Sequence, residues 1–223
     1  MEKENILRQN YAEAKVKDEY SGVAWFYNFW SWLTESKSAK KVIELAHIQS
    51  GERILEVAVG TGAVFAEIVR RNTGGVTEGI DVSPSMMAKA DERMKKYPKE
   101  RYRLQIASAY KLPFDSNTFD LLVNNFMIDL LPEKDFPPLL SEYYRVLKPG
   151  GRIVISTMSF GTKWYNKFWQ WLAKHFPALL TGCRPISIKN YLTQAQFDSI
   201  ESVLISQNTF PSEVLKAGKA AFT

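Results

Sequence analysis

The chain has 223 residues, 45% of them hydrophobic and 24% charged, with 29 Lys+Arg against 24 Asp+Glu. That is the profile of an ordinary soluble globular protein able to bury its own core, with a diffuse positive charge that suits an anionic ligand or an anionic membrane surface. The single cysteine, Cys183, excludes a disulfide framework and a cysteine-based zinc site and points to an intracellular protein. No apolar run approaches the ~20 residues of a membrane-spanning helix, the polar opening "MEKENILRQN" predicts no secretory signal, and no nucleic-acid-binding signature is present.

In chain order, residues 1–47 read as a helical cap that carries the aromatic run "AWFYNFWSWL" at 24–33. Short apolar runs then predict strands at 53–57, 76–80, 101–106, 119–124 and 152–157. Helices fall between them. One starts near Gly62, with Val64, Phe65, Ile68 and Val69 on one face. A second starts at Ser83–Pro84 and runs to about Lys96. A third covers about 133–146 and stops at "KPGG", Lys148–Gly151. An aromatic cap insertion follows at 160–192, and "ESVLISQ" and "PSEVLKAG", separated by "NTF", predict an antiparallel hairpin at the sheet edge. Strand–helix alternation implies parallel pairing with helical crossovers, so the expected fold is a doubly wound α/β sheet in one domain spanning 1–223.

In such sheets ligands bind at the carboxyl ends of the strands. The first strand and its turn read "RILEVAVGTG", 53–62. Gly60 and Gly62 suit a tight turn and a helix start, while Ala58 stands where a dinucleotide loop would begin with glycine. The second strand ends at Asp81, 19 residues after Gly62, where an acid can accept hydrogen bonds from both hydroxyls of a ribose. Together these features predict a nucleoside ligand. They leave NAD and S-adenosylmethionine open, although the three-glycine spacing of a pyrophosphate cradle is absent.

Four motifs carry a resemblance: "ILEVAVGTG" (54–62), "GIDVSPSMMAKA" (79–90), "ASAYKLPFDSNTFDLLV" (107–123) and "RVLKPGGRIVI" (145–155). In this order and spacing the chain resembles class I S-adenosylmethionine-dependent methyltransferases, most closely the ubiquinone/menaquinone C-methyltransferase-like group. The resemblance implies a seven-stranded, mostly parallel Rossmann-like sheet and S-adenosylmethionine as cofactor. It implies that Gly60 and Gly62 pass close to the methionine part, with Ala58 in the same turn, and that Glu56 orients the ammonium group. Asp81 would hold the ribose, Val82 and Met86 or Met87 would pack on the adenine, and Ser108 and Ala109 would lie at its edge. Asn124 would end the fourth strand beside the sulfonium, and Tyr27 would close over the cofactor. Ser108 stands where the group carries Asp or Asn, and Asp129 where its quinone enzymes tend to carry Arg.

Methyl transfer from a sulfonium needs alignment more than acid–base machinery, and no metal site is expected. Asp129 is the acid expected near the acceptor, as a base or as a partner for an amine; its other reading is a helix cap. His47 and His175 read as structural. Trp164, Phe168 and Trp171 share one helical face, flanked by Lys163, Lys167 and Lys174. That pattern fits a packed cap, a lid over a lipophilic substrate, or a helix at a membrane surface. The expected protein is therefore cytoplasmic, with or without peripheral membrane contact, and methylates a small lipophilic acceptor such as a quinone-ring carbon or a phospholipid amine. The alternatives are a nucleotide-dependent oxidoreductase, an RNA methyltransferase, and a non-catalytic cofactor-binding or membrane-surface module on the same fold.

Overall fold

The computed structural model describes residues 24–176, 180 and 182–221, with the side chains of 24–33 outside the description. The order is α1 (Ala24–Ala46), β1 (Arg53–Val57), α2 (Ala63–Arg71), β2 (Val76–Asp81), α3 (Pro84–Met94), β3 (Tyr102–Ile106), β4 (Phe119–Asn125), α4 (Phe136–Val146), β5 (Leu147–Met158), α5 (Asn166–His175), α6 (Lys189–Gln194), β6 (Phe197–Gln207) and β7 (Phe210–Lys219). The seven strands form one sheet in the order β3-β2-β1-β4-β5-β7-β6. β1 to β5 pair in parallel, and β7 inserts antiparallel between β5 and β6. The predicted α/β architecture and its closing hairpin are both present.

The order reverses between β1 and β4, which opens a crevice at the carboxyl ends of these strands. Both faces of β1 and β4 are buried, and this explains their lack of polar alternation. On one side α1 and α2 cover Ile54, Leu121, Val123 and Val154. On the other, α4 and α6 cover Leu55, Val57, Leu122, Ile153 and Ile155. Gly79 in the middle of β2 permits the close approach of α2, because a Cβ there would meet the Phe65 ring at 2.7 Å.

Local chemistry sets the helix ends. Ser83 accepts the Met86 N–H at 3.4 Å and Pro84 opens α3, where a missing N–H costs nothing. Arg70 and Arg71 close α2 against its negative end and both pair with Glu67, whose carboxyl they lower to about 2. One boundary differs from the sequence expectation. "KPGG" ends α4 as predicted, but it lies inside β5, which begins at Leu147 and shifts register against β4 between Phe119 and Leu121. Pro149 and Gly150 (φ 78°) bend this strand end without breaking it.

Candidate active site

The crevice holds two adjoining lobes. The first, a cleft of about 900 Å³, runs between the ends of β1 and β2 and the 107–110 and 125–131 loops. The second, about 1470 Å³, lies between the β1 turn and α1. Ala58, Gly60 and Asn125 line both, so the β1 turn forms the partition between them.

That turn has a demanding backbone. Ala58, Gly60 and Gly62 all have positive φ, at 62°, 53° and 76°. Ala58 therefore occupies a conformation that glycine adopts freely and an L-residue enters at a cost of roughly 1–2 kcal/mol. Asp81 holds the turn in place: its Oδ2 accepts the Gly60 N–H at 2.8 Å and its Oδ1 accepts the Ser83 N–H at 2.8 Å. A carboxylate has about four acceptor positions, so these bonds leave acceptor capacity for a vicinal diol in the first lobe. Burial raises the Asp81 pKa, while the N–H groups of Ser83, Gly60 and Val82 pull it back. Gly62 has a different task from the one its motif implies. A Cβ on it would lie 3.1 Å from Ala90 Cα, so it permits α2 to pack on α3, and it lines neither lobe.

Glu56 lies on the α1 side of β1 and lines the second lobe. It is buried, and its Oε2 has no hydrogen-bond partner among the described residues. Burial, reinforced by the nearby Asp81 carboxylate, raises its pKa well above the usual carboxylate range. An unsatisfied buried carboxyl at the edge of an open lobe is an incomplete arrangement that a bound cation would complete. The chemistry of the two lobes thus fits one ligand: a diol at Asp81, an apolar base among Val82, Met86 and Ala109, and a cationic group at Glu56.

Val82, Met86, Ser108 and Ala109 all line the first lobe. Ser108 Oγ accepts the Tyr110 N–H at 3.3 Å, which stiffens the loop at that edge. The side chain of Tyr27 lies outside the described residues. Two expectations need correction. Asn124 does not face the crevice: it is fully buried on the α4 side, where its Nδ2 donates to Val57 O at 3.0 Å. Asn125, one residue on, points to the other side and lines both lobes, with its Oδ1 fixed by the Ser156 hydroxyl at 2.5 Å.

Asp129 is likewise set behind the wall. It is fully buried and lines neither lobe, and its Oδ2 accepts the Met158 N–H at 2.8 Å. It ties the 126–131 loop to the end of β5. That placement is neither an acceptor contact nor a cap on the helix that follows. Desolvation raises its pKa to about 7, against the Met158 N–H, its own N–H, the Arg184 charge and the Cys183 thiol, which lower it.

Several lining residues were not singled out from the sequence. Phe126, Met127, Leu130 and Leu131 line the first lobe with apolar side chains. Tyr110 lines it too, its hydroxyl donating to Asp135 Oδ2 at 3.0 Å. Ser36, Ala39 and Lys40 of α1 wall the second lobe. The apolar cluster "FMIDLL" just beyond a strand end was the available signal for the first group; nothing in the periodicity of α1 marks its three.

Comparison with known proteins agrees with this geometry. A family profile described as a methyltransferase domain matches residues 54–151, which hold β1 through the start of β5. A demethylmenaquinone methyltransferase of Symbiobacterium thermophilum is 31% identical over 155 residues, covering 69% of this chain and 59% of that protein. The ubiquinone/menaquinone biosynthesis C-methyltransferase of Geobacter sulfurreducens is 32% identical, covering 65% of this chain and 58% of its own length. The chain thus spans less than two thirds of these relatives. A solved S-adenosylmethionine-dependent methyltransferase of Methanosarcina mazei has the same fold, with a TM-score of 0.64 and 19% identity over 81% of this chain and 98% of that one. With the strand-end acid, the positive-φ turn and the matched profile in agreement, this chain belongs to the class I S-adenosylmethionine-dependent methyltransferases.

Proposed function

We propose that the chain transfers a methyl group from S-adenosylmethionine to a small lipophilic acceptor, a quinol-type ring carbon. The observation that carries the acceptor class is the apolar wall of the first lobe: Phe126, Met127, Leu130 and Leu131 offer apolar surface and no carboxylate. With Asp129 turned away behind this wall, nothing among these four residues would recognise a cationic amine. The named activity of the S. thermophilum and G. sulfurreducens relatives supports a quinone acceptor.

S-adenosylmethionine bound in the crevice supplies an electrophilic methyl group on a sulfonium. The chain's residues then have binding and aligning roles. Asp81 would accept hydrogen bonds from the ribose hydroxyls with its remaining lone pairs. Glu56 would pair with the ammonium group, and a positive charge there would offset the burial and the Asp81 carboxylate that raise its pKa. Asn125 sits at the partition between the lobes, where a polar side chain can fix the reacting ends relative to each other. The apolar wall excludes water from the acceptor and holds its ring flat against the cleft.

Incubation with radiolabelled S-adenosylmethionine and a panel of demethylated quinols, ethanolamine phospholipids and total lipid extract tests this reading. Label is expected in a quinol carbon. Label in an amine, or tight S-adenosylhomocysteine binding with no transfer to any acceptor, would overturn it. Calorimetry tests the Glu56 role separately: Glu56→Gln should weaken S-adenosylhomocysteine binding, and an unchanged affinity would remove Glu56 from the ammonium site.

A further inference from the structure

Helix α5 turns outward the face that helical spacing would assign to a core. Trp164, just before its first turn, is 84% exposed, and Phe168 and Trp171 are 56% and 49% exposed. Phe160 and Phe176 extend this apolar surface at the two ends, at 49% and 50%. Rings of this size are rarely left clustered in water without a reason. The helix is nonetheless well seated. Trp169 on its inner face meets Phe210 edge-on at 5.3 Å and donates its indole N–H to Thr209 Oγ1 at 3.1 Å. The buried Asn166 accepts the Lys163 N–H at 2.8 Å and donates to Thr209 O at 3.2 Å. The outward orientation of the other rings is therefore fixed by the fold.

The charge along this segment has one sign. Lys163, Lys167 and Lys174 are exposed beside the rings. From residue 143 to residue 197 the chain carries eight Lys or Arg and no Asp or Glu, although acids make up about a tenth of the whole sequence. A basic, aromatic, one-sided helix without acids is the chemistry of a segment lying in the headgroup region of an anionic bilayer. We propose that α5, with Phe160 and Phe176, is a monotopic docking face for a bilayer rich in anionic phospholipid.

Two other occupants fit less well. A second copy in a two-fold contact would set the three lysines against their own equivalents with no acid to pair them. A single-stranded nucleic acid needs open ring faces, but Phe168 and Trp171 stack on each other at 6.2 Å and 25°, and His175 stacks on Trp171 at 5.1 Å and 29°. The inner side also leads toward the site. Trp169 packs on Phe210, which lies 6.4 Å from Phe126, and Phe126 walls the acceptor end of the cleft. A docked helix would set that end near the membrane. The docking itself does not depend on which acceptor is methylated.

The test is sedimentation of the full chain with phosphatidylcholine vesicles, with and without one-third phosphatidylglycerol, at low and high salt. Binding to the anionic vesicles is expected, weakening with salt. The Trp164→Ser/Phe168→Ser/Trp171→Ser variant should bind at least ~10-fold less, and the Lys163→Glu/Lys167→Glu/Lys174→Glu variant should lose the preference for anionic lipid. All six residues are exposed, so S-adenosylhomocysteine affinity should be unchanged in both and reports that they fold. Wild-type protein left in the supernatant, or a serine variant that sediments as well as wild type, would overturn the proposal. So would a concentration-dependent dimer abolished by the serine substitutions, or tighter binding to polyuridylate than to the anionic vesicles.

Discussion

The two ends of the crevice are built on different principles. At the proposed cofactor end, the β1 turn is a backbone device: three alternate residues at positive φ, with the Gly60 N–H held by the Asp81 carboxylate, which also accepts the Ser83 N–H. At the proposed acceptor end, Phe126, Met127, Leu130 and Leu131 present side chains, and the buried Asp129, which lines neither lobe, ties the loop that carries them to β5. Buried carboxyls therefore serve both ends, but only Asp81 and Glu56 meet the lobes. The lesson is that an acid near a site in sequence gains its role from the direction it faces.

Substitutions should separate the two ends. The largest effect is expected from Asp81→Ala, which removes the ribose acceptor and frees the Gly60 and Ser83 N–H groups. S-adenosylhomocysteine should bind about 10- to 100-fold more weakly, or ~1–3 kcal/mol, measured by calorimetry. An unchanged affinity would break the distinction between the two ends at its strongest point. Leu130→Ala acts on the other end. It should raise the acceptor KM about fivefold, roughly 1 kcal/mol of lost apolar contact, and leave cofactor affinity near wild type. A matching loss in cofactor binding would show that the wall belongs to both ends.

Smaller effects sharpen the comparison. Ala58→Gly relieves the positive φ but adds freedom to the unfolded chain, so a net gain of only about 0.5–1 kcal/mol is expected in denaturant unfolding. A loss would mean the alanine methyl packs usefully in the turn. Asp129→Asn should leave turnover within about twofold, because an amide oxygen can still accept the Met158 N–H. Its visible effect is on pH dependence. The folded-state pKa of about 7 lies above the unfolded value near 3.9, so folding takes up a proton between these pH values, and stability falls as pH rises from about 4 through about 7. The Asn variant should flatten that part of the stability profile, followed by thermal unfolding from pH 4 to 8. A large loss of kcat with normal unfolding would return Asp129 to the catalytic site.

The strands, the helix starts and the glycine turn after β1 were legible because they rest on local rules. Apolar runs of strand length, Ser83–Pro84 at a helix start and an acid at a strand end each act within a few residues. Asn124 and Asn125 show where this stops. β4 is buried on both faces, so its sequence has no alternation from which to read parity, and a one-residue choice selects the opposite side of the sheet.

The sequence by itself determined the methyltransferase-type sheet, its closing hairpin and the positions of the glycine turn and of Asp81 at the strand ends. Only the tertiary structure decided that Asn125 rather than Asn124 meets the crevice, that Gly62 serves helix packing, and that Asp129 faces inward. It also decided which side of α5 is covered. Periodicity assigns Trp164, Phe168 and Trp171 to one face, but whether that face is buried depends on the surface beneath the helix. Here Phe210 and Thr209 take the Trp169 side and leave the other rings outside.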